Sequence, residues 1–286
     1  MSTHASAEGA RDARLDAAAR SGSASTSPAT ANRSVSREIE IAAPPTVVWK
    51  ALTDAEELVR WFPMHARVEP GAGGSIRMSW DNVSELDDTR IDVWEPERHL
   101  RTMGRTGSWV GIVTDYHLQA AGHGTVLRVV SSGFGRGEDW DSLLDAFGSG
   151  WDFELRGLRH YLERHRGKSR TAVWARARYG CTDGEAWKRL AGEGGWLGAS
   201  GLRDLREGER WAATTMTGDR LSGAVHSWYP PRQFSGTVTE LGDALLRVHL
   251  YDGSAYLWLS TYELPVDTVR SLQESWQRSL TALFPQ

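Results

Sequence analysis

Asp115, Tyr116 and His117 stand in a row and carry the side-chain types of an acid–base relay. The apolar and polar residues around them alternate as a strand does, and a strand sends successive side chains to opposite faces. Asp115 and His117 therefore share one face, while Tyr116 takes the other with Thr114 and Leu118. The three cannot work as one contiguous group. Tyr116, on the face expected to be inner, is the candidate to orient a ligand through its hydroxyl; a packed core tyrosine is the plainer alternative. Ser131 is the second polar candidate. Trp80, Phe134, Trp140 and Trp151 are the apolar ones, expected at the mouth or wall of a pocket, whereas Trp49, Trp187 and Trp276 fall on helix stripes and are expected to be core.

Other patterns exclude chemistries. His160 and His165 are five apart, and zinc proteases space their histidines by four on a helix. His117 and His123 are six apart across a strand end and a turn. Cys181 is the single cysteine, so no thiolate cluster or internal disulfide can form. Gly104–Gly107 and Gly133–Gly137 lack the Lys-Ser/Thr of a phosphate loop, and no Gly-x-Ser-x-Gly elbow occurs. No catalytic set, metal centre or cofactor is expected.

The elements that must position these residues follow from periodicity. Glu38 and Glu40 alternate with Ile39 and Ile41, which predicts a half-buried strand over 36–41. Pro44-Pro45 opens a helix, and Asp54 can cap a second short one running to Trp61. Strands are expected at Ile76–Trp80, Thr89–Trp94, Arg98–Met103, Trp109–Leu118 and Thr125–Ser132. A long helix closes the unit through Leu144, Phe147, Trp151, Leu155, Leu158 and Leu162, in steps of three and four.

The second half repeats the first. Trp49-Lys50-Ala51-Leu52 returns as Trp187-Lys188-Arg189-Leu190, and Trp94-Glu95-Pro96-Glu97-Arg98 returns as Trp228-Tyr229-Pro230-Pro231-Arg232. The closing stripe returns as Val269, Leu272, Trp276, Leu280 and Leu283. Three matches in one order indicate duplication. The spacing shrinks along the second copy, and we place that loss between its last strand and last helix, which implies a tighter or closed cup. The fold class expected is α+β: two tandem units, each a curved antiparallel sheet with one face covered by a long C-terminal helix. The boundaries are a disordered Ser- and Ala-rich tail at 1–35, a first domain with a ligand cavity at 36–168, and a degenerate second domain at 169–286.

Lys plus Arg number 33 against 37 Asp plus Glu, for a formal charge of −4, so nothing favours nucleic acid or an anionic membrane. No apolar run is long enough to span a bilayer, and the tail lacks a secretory apolar stretch; a cytoplasmic location is expected. Fourteen tryptophans supply much rigid apolar wall.

Ile41-Ala42-Ala43-Pro44, Val48–Thr53, Trp61-Phe62, Gly73-Gly74, Glu95-Pro96, Gly124-Thr125, Ser132-Gly133-Phe134 and Gly150-Trp151 run in an order that resembles the SRPBCC (START-like, helix-grip) superfamily. Within it they resemble the branch named after the activator of the ninety-kilodalton heat-shock protein ATPase. The likeness spans about residues 36–166; beyond 170 the Gly-Gly and Ser-Gly-Phe elements are missing. It implies that each unit is a helix-grip domain, and that a cavity between sheet and helix takes a hydrophobic or amphipathic small molecule. Non-catalytic binding of such a ligand is the leading expectation. The alternatives are an aromatase/cyclase-like enzyme of polyketides and a chaperone-associated interaction module. A two-cup scaffold could also homodimerise.

Overall fold

A computed structural model describes residues 33–80, 86–198, 202–251 and 253–285. The 1–35 tail therefore lies almost wholly outside the described residues. Strand β1 (Arg33–Ile41) begins three residues ahead of the expected start and alternates as read, with Glu38 and Glu40 exposed and Ile41 buried. Pro45 opens α1 (Pro45–Thr53). Asp54 caps α2 (Ala55–Leu58), its carboxylate accepting from the Glu56 and Glu57 amides at 3.0 and 3.1 Å. Six further strands follow: β2 (His65–Glu69), β3 (Ser75–Ser79), β4 (Asp87–Glu95), β5 (His99–Gly104), β6 (Val113–Ala121) and β7 (Gly124–Phe134). They pair antiparallel in the order β1-β7-β6-β5-β4-β3-β2. Helix α3 (Glu138–His160) closes the unit and runs on through a π turn, Tyr161–His165. Gly148 lets α3 lie against β1, since a methyl there would meet Arg37 and Val35 at 3.0 and 3.3 Å.

The second unit repeats this order with one strand fewer. It contains β8 (Arg170–Arg178), α4 (Asp183–Ala191), β9 (Arg210–Thr214), β10 (Arg220–Tyr229), β11 (Gln233–Val238), β12 (Ala244–Tyr251), β13 (Ser254–Tyr262) and α5 (Val266–Leu283). The sheet order is β8-β13-β12-β11-β10-β9, the order of the first sheet without its β2. A capping box between Thr182 and Glu185 starts α4. The fold is α+β, two tandem helix-grip domains. Trp196, Trp276 and Phe234 fill the second interior, each fully buried. Gln273 and Gln277 of α5 bond the free backbone edge of β8 at Trp174 and Arg176, at 2.6–3.1 Å.

Register corrects where the second copy is shortened. Leu100 opposes Tyr116 and Tyr116 opposes Val129; their counterparts Phe234, Val248 and Leu257 oppose in the same way. The spacing therefore shrinks in the β5–β6 connection and in the β6–β7 hairpin as well as before the last helix. The expected strand over 109–118 also starts later: Trp109 ends a 3-10 turn (Gly107–Trp109), and β6 begins at Val113.

The second sheet lies across the back of α3. One side of α3 buries Phe147, Trp151, Leu155 and Leu158 against the first sheet. The other side meets residues that point out of β10, β12 and β13. Arg247, 5% exposed, pairs with Glu154 at 2.8 Å, and its guanidinium carbon sits 3.3 Å from the centre of the Phe153 ring. His160 packs on His226 at 5.3 Å between centroids, and His160 and His165 both donate to the Asp243 carbonyl, at 2.8 and 3.1 Å. Tyr262 of β13 belongs to the first core: it stacks on His165 at 4.1 Å and donates to the Arg60 carbonyl at 2.9 Å. Arg170 likewise donates to the Phe62 and Pro63 carbonyls.

Candidate functional site

The concave face of the first sheet is lined with rings. Phe62 stacks on Trp61 at 4.9 Å, meets Trp80 edge-on at 5.1 Å and reaches Trp151 at 6.1 Å. Trp80 stacks on Trp109 at 6.3 Å; Trp109 meets Phe147, and Phe147 meets Phe134, at 4.9 and 5.2 Å. Trp80 and Trp109 are half-buried, whereas Trp61, Phe62 and Trp151 are buried. The chain of rings thus runs from a partly exposed mouth to the floor. Such edge-to-face pairs stabilise by about 0.5–1.5 kcal/mol each beyond area burial.

These rings fill most of the roomy interior expected from the sequence. What remains is a cavity of about 20 Å³ between sheet and α2, lined by Leu58, Phe62, Met78, Leu100, Thr102 and Tyr116 among others. That is room for one water, far below the roughly 300–1,000 Å³ of a drug-sized pocket.

Of the six nominated residues, Tyr116 alone lines this cavity. It is half-buried, its ring stands edge-on to Trp151 at 5.7 Å, and burial pushes its phenol well above the usual range. Among the described residues its hydroxyl has no hydrogen-bond partner, and neither does that of Thr102. Ser131, fully buried, accepts from the Trp151 indole at 2.9 Å and bonds Thr114 at 3.0 Å, so its hydroxyl is engaged. Trp151 and Phe134 are buried in the first core, and Trp80 packs half-buried against it. Trp140 folds over Gly135 at the start of α3, away from the cavity lining.

Sequence reasoning missed Thr89 and Thr102, which complete a hydroxyl-bearing floor with Thr114, Tyr116 and Ser131. Thr89 donates to the Ile76 carbonyl at 2.9 Å. The repeat supplies the signal that could have found them. In the second unit, register equates these five with Gly223, Gly236, Leu246, Val248 and Leu259. One copy keeps five hydroxyls on its concave face; the other has none at those places.

On the opposite, outer face, Asp115 accepts from His99 and Arg101, both at 2.7 Å. Burial opposes its charge, but Arg101 and then His99 outweigh that and hold its carboxyl below the usual range. Tyr116 points the other way, as strand alternation requires.

Residues 42–163 match the family model described as activator of Hsp90 ATPase homolog 1-like protein. A search of curated proteins finds no match. Among solved structures, protein MLL2253 from Mesorhizobium loti is 25% identical, with a TM-score of 0.41 over 47% of this chain and 99% of that one. DynU16, described as a putative protein of the dynemicin biosynthetic locus, is 20% identical, with a TM-score of 0.40 over 87% of this chain and 96% of its own. The di-domain ARO/CYC protein BexL of the BE-7585A biosynthetic pathway is 12% identical, with a TM-score of 0.42 over 88% and 97%. No helix among the described residues is long and apolar enough to cross a membrane.

Proposed function

Because this chain carries, over residues 42–163, a domain of the activator of Hsp90 ATPase homolog 1-like family, we propose that its first domain binds a small, planar, oxygen-bearing hydrophobic molecule between sheet and helix. The supporting observation is the contrast between the copies: five hydroxyls on one concave face, glycine and aliphatic residues at the same places on the other. A core that only packs gains nothing from hydroxyls, since a buried polar group without a partner costs about 1–3 kcal/mol. Tyr116 and Thr102 line the small cavity, and neither hydroxyl bonds another described residue. A ligand carbonyl or phenol would bond them.

Binding at this site requires the rings to move, because about 20 Å³ holds no such molecule. Trp80 and Trp109 are the residues placed to swing: both sit on connections at the mouth and both keep some exposure. A ring-closing enzyme is the second reading, favoured by the convergence of Tyr116 and Thr102 on one cavity; Ser131, already engaged twice, contributes position rather than a free donor.

The test is titration of the full chain with 1-anilinonaphthalene-8-sulfonate, read by tryptophan quenching, followed by displacement with planar polyphenols. One saturable site is expected. Tyr116→Phe should weaken polyphenol binding about tenfold, the worth of one hydrogen bond, and leave stability unchanged or raised. Absence of saturable binding, or equal affinity in Tyr116→Phe, would overturn the proposal. Turnover of a polyketide-like substrate, lost in Tyr116→Phe, would favour the enzyme.

A further inference from the structure

Strand pairing assembles a second constellation on the solvent side of the first sheet. His99 on β5 stands directly opposite His117 on β6, and Arg101 stands opposite Asp115. Each pair shares the outer face, so Asp115 is the diagonal neighbour of His99. The two imidazoles stack at 4.3 Å between centroids. One donor atom from each of His99, Asp115 and His117 lies within 4.8 Å of the other two.

We propose that His99, Asp115 and His117 form a binding site for a late first-row divalent cation, with Zn²⁺ as its representative. Two imidazole nitrogens and one carboxylate oxygen suit zinc, copper or nickel; magnesium and calcium take oxygen-only sets. All three ligands stand on paired strands, so the site is held by the sheet rather than by loops. Arg101 forks onto Asp115 through Nε at 2.7 Å and Nη2 at 3.2 Å. This is the outer-shell hydrogen bonding that ligating carboxylates carry, and it keeps the carboxylate ionised and oriented. His117 is exposed, so the coordination position beyond the three ligands opens to water. Binding requires His99 to turn from Asp115 Oδ1 to the metal, the three donors to draw closer than 4.8 Å, and Asp115 to share an oxygen with the Arg101 fork. Arg101 and Arg128, the latter paired opposite His117, oppose the cation's charge. They favour a moderate affinity over a permanently loaded site.

The site is separate from the hydrophobic one. Tyr116 lies between two of the ligands in sequence, yet its ring faces the interior. A cation on the outside would fix β6 at the residue that lines the cavity.

The experiment is isothermal titration of untagged, chelator-treated full-length protein with Zn²⁺, with Mg²⁺ as control. One equivalent of Zn²⁺ is expected to bind and Mg²⁺ to give no heat. His117→Ala, a change at an exposed position that leaves the fold intact, should weaken Zn²⁺ at least about tenfold, and His99→Asn should do the same. His123→Ala should bind as the wild type does. Failure of the folded wild type to take up Zn²⁺, or unchanged affinity in His117→Ala, would overturn the site and leave the cluster as a structural ion pair.

Discussion

Acidification to pH 5 should loosen the packing between the two sheets and α3. His160 is 4% exposed, and burial, followed by the nearby His165, pushes its pKa down to about 4. Burial and His160 push His226 to about 3; burial and Arg247 push His249 to about 4; burial also lowers His165. The charged groups around them are Arg156, Arg159, Arg164, Lys168, Arg247, Glu207 and the Asp243 backbone region. In the unfolded chain each imidazole titrates near about 6.5. Between that value and the folded one the unfolded state holds more protons, so stability must fall as pH falls. At pH 5 an unfolded imidazole is almost fully protonated, whereas His160 stays mostly neutral. The difference amounts to about 2 kcal/mol for His160 alone, and to a slope of up to about 1.4 kcal/mol per pH unit for each such group. Carboxylates with lowered pKa, such as Asp115 and Glu207, lose their contribution at lower pH, whereas burial raises the pKa of Glu154, which works in the opposite sense; the His160→Gln comparison separates the histidine share. Urea unfolding followed by circular dichroism at half-unit pH steps measures the slope. His160→Gln keeps a donor for the Asp243 carbonyl but cannot titrate, and it should remove about one proton's worth of slope. Flat stability from pH 7 to 5, or an unchanged slope in His160→Gln, would refute the reasoning.

Two further outcomes follow from the same interface and from the sheet edge. Arg247→Met leaves Glu154 buried without its partner and should cost about 3–5 kcal/mol in urea unfolding. Adding Glu154→Leu should recover most of that loss, because an apolar pair replaces an ion pair whose desolvation is expensive. Gln273→Ala with Gln277→Ala uncovers the backbone of edge strand β8. It should lower stability by roughly 1–2 kcal/mol and produce concentration-dependent association in sedimentation runs.

Much of the fold was legible because its signals are local. The Ile39/Ile41 alternation, Asp54 as a cap, the Trp-x-Pro turn and the three-four stripe of α3 each depend on neighbours in the chain. Strand β2 was missed because His65-Ala66-Arg67-Val68-Glu69 offers only Ala66 and Val68 as apolar positions. Trp109 and Val110 read as strand, yet they form the turn that brings an indole to the mouth. The candidate site was partly legible: Tyr116 was chosen from alternation, whereas Thr102 acquires meaning only beside Gly236. His99 is sixteen residues from Asp115, and only pairing register joins them. The docking of β12 on α3 was not legible: Arg247 and His249 alternate with Leu246, Val248 and Leu250 as a solvated face would, and only the tertiary contacts of Arg247 with Glu154 and Phe153 reveal that this face is covered.

Tyr262 bears on how the chain holds together. Its ring is part of the first unit's core, though it sits almost a hundred residues past that unit's last helix. A fragment ending near residue 168 would give up the ring that covers His165 and the donor to the Arg60 carbonyl. The two units are therefore expected to unfold together over the described residues, since separating them strips this ring from the first core.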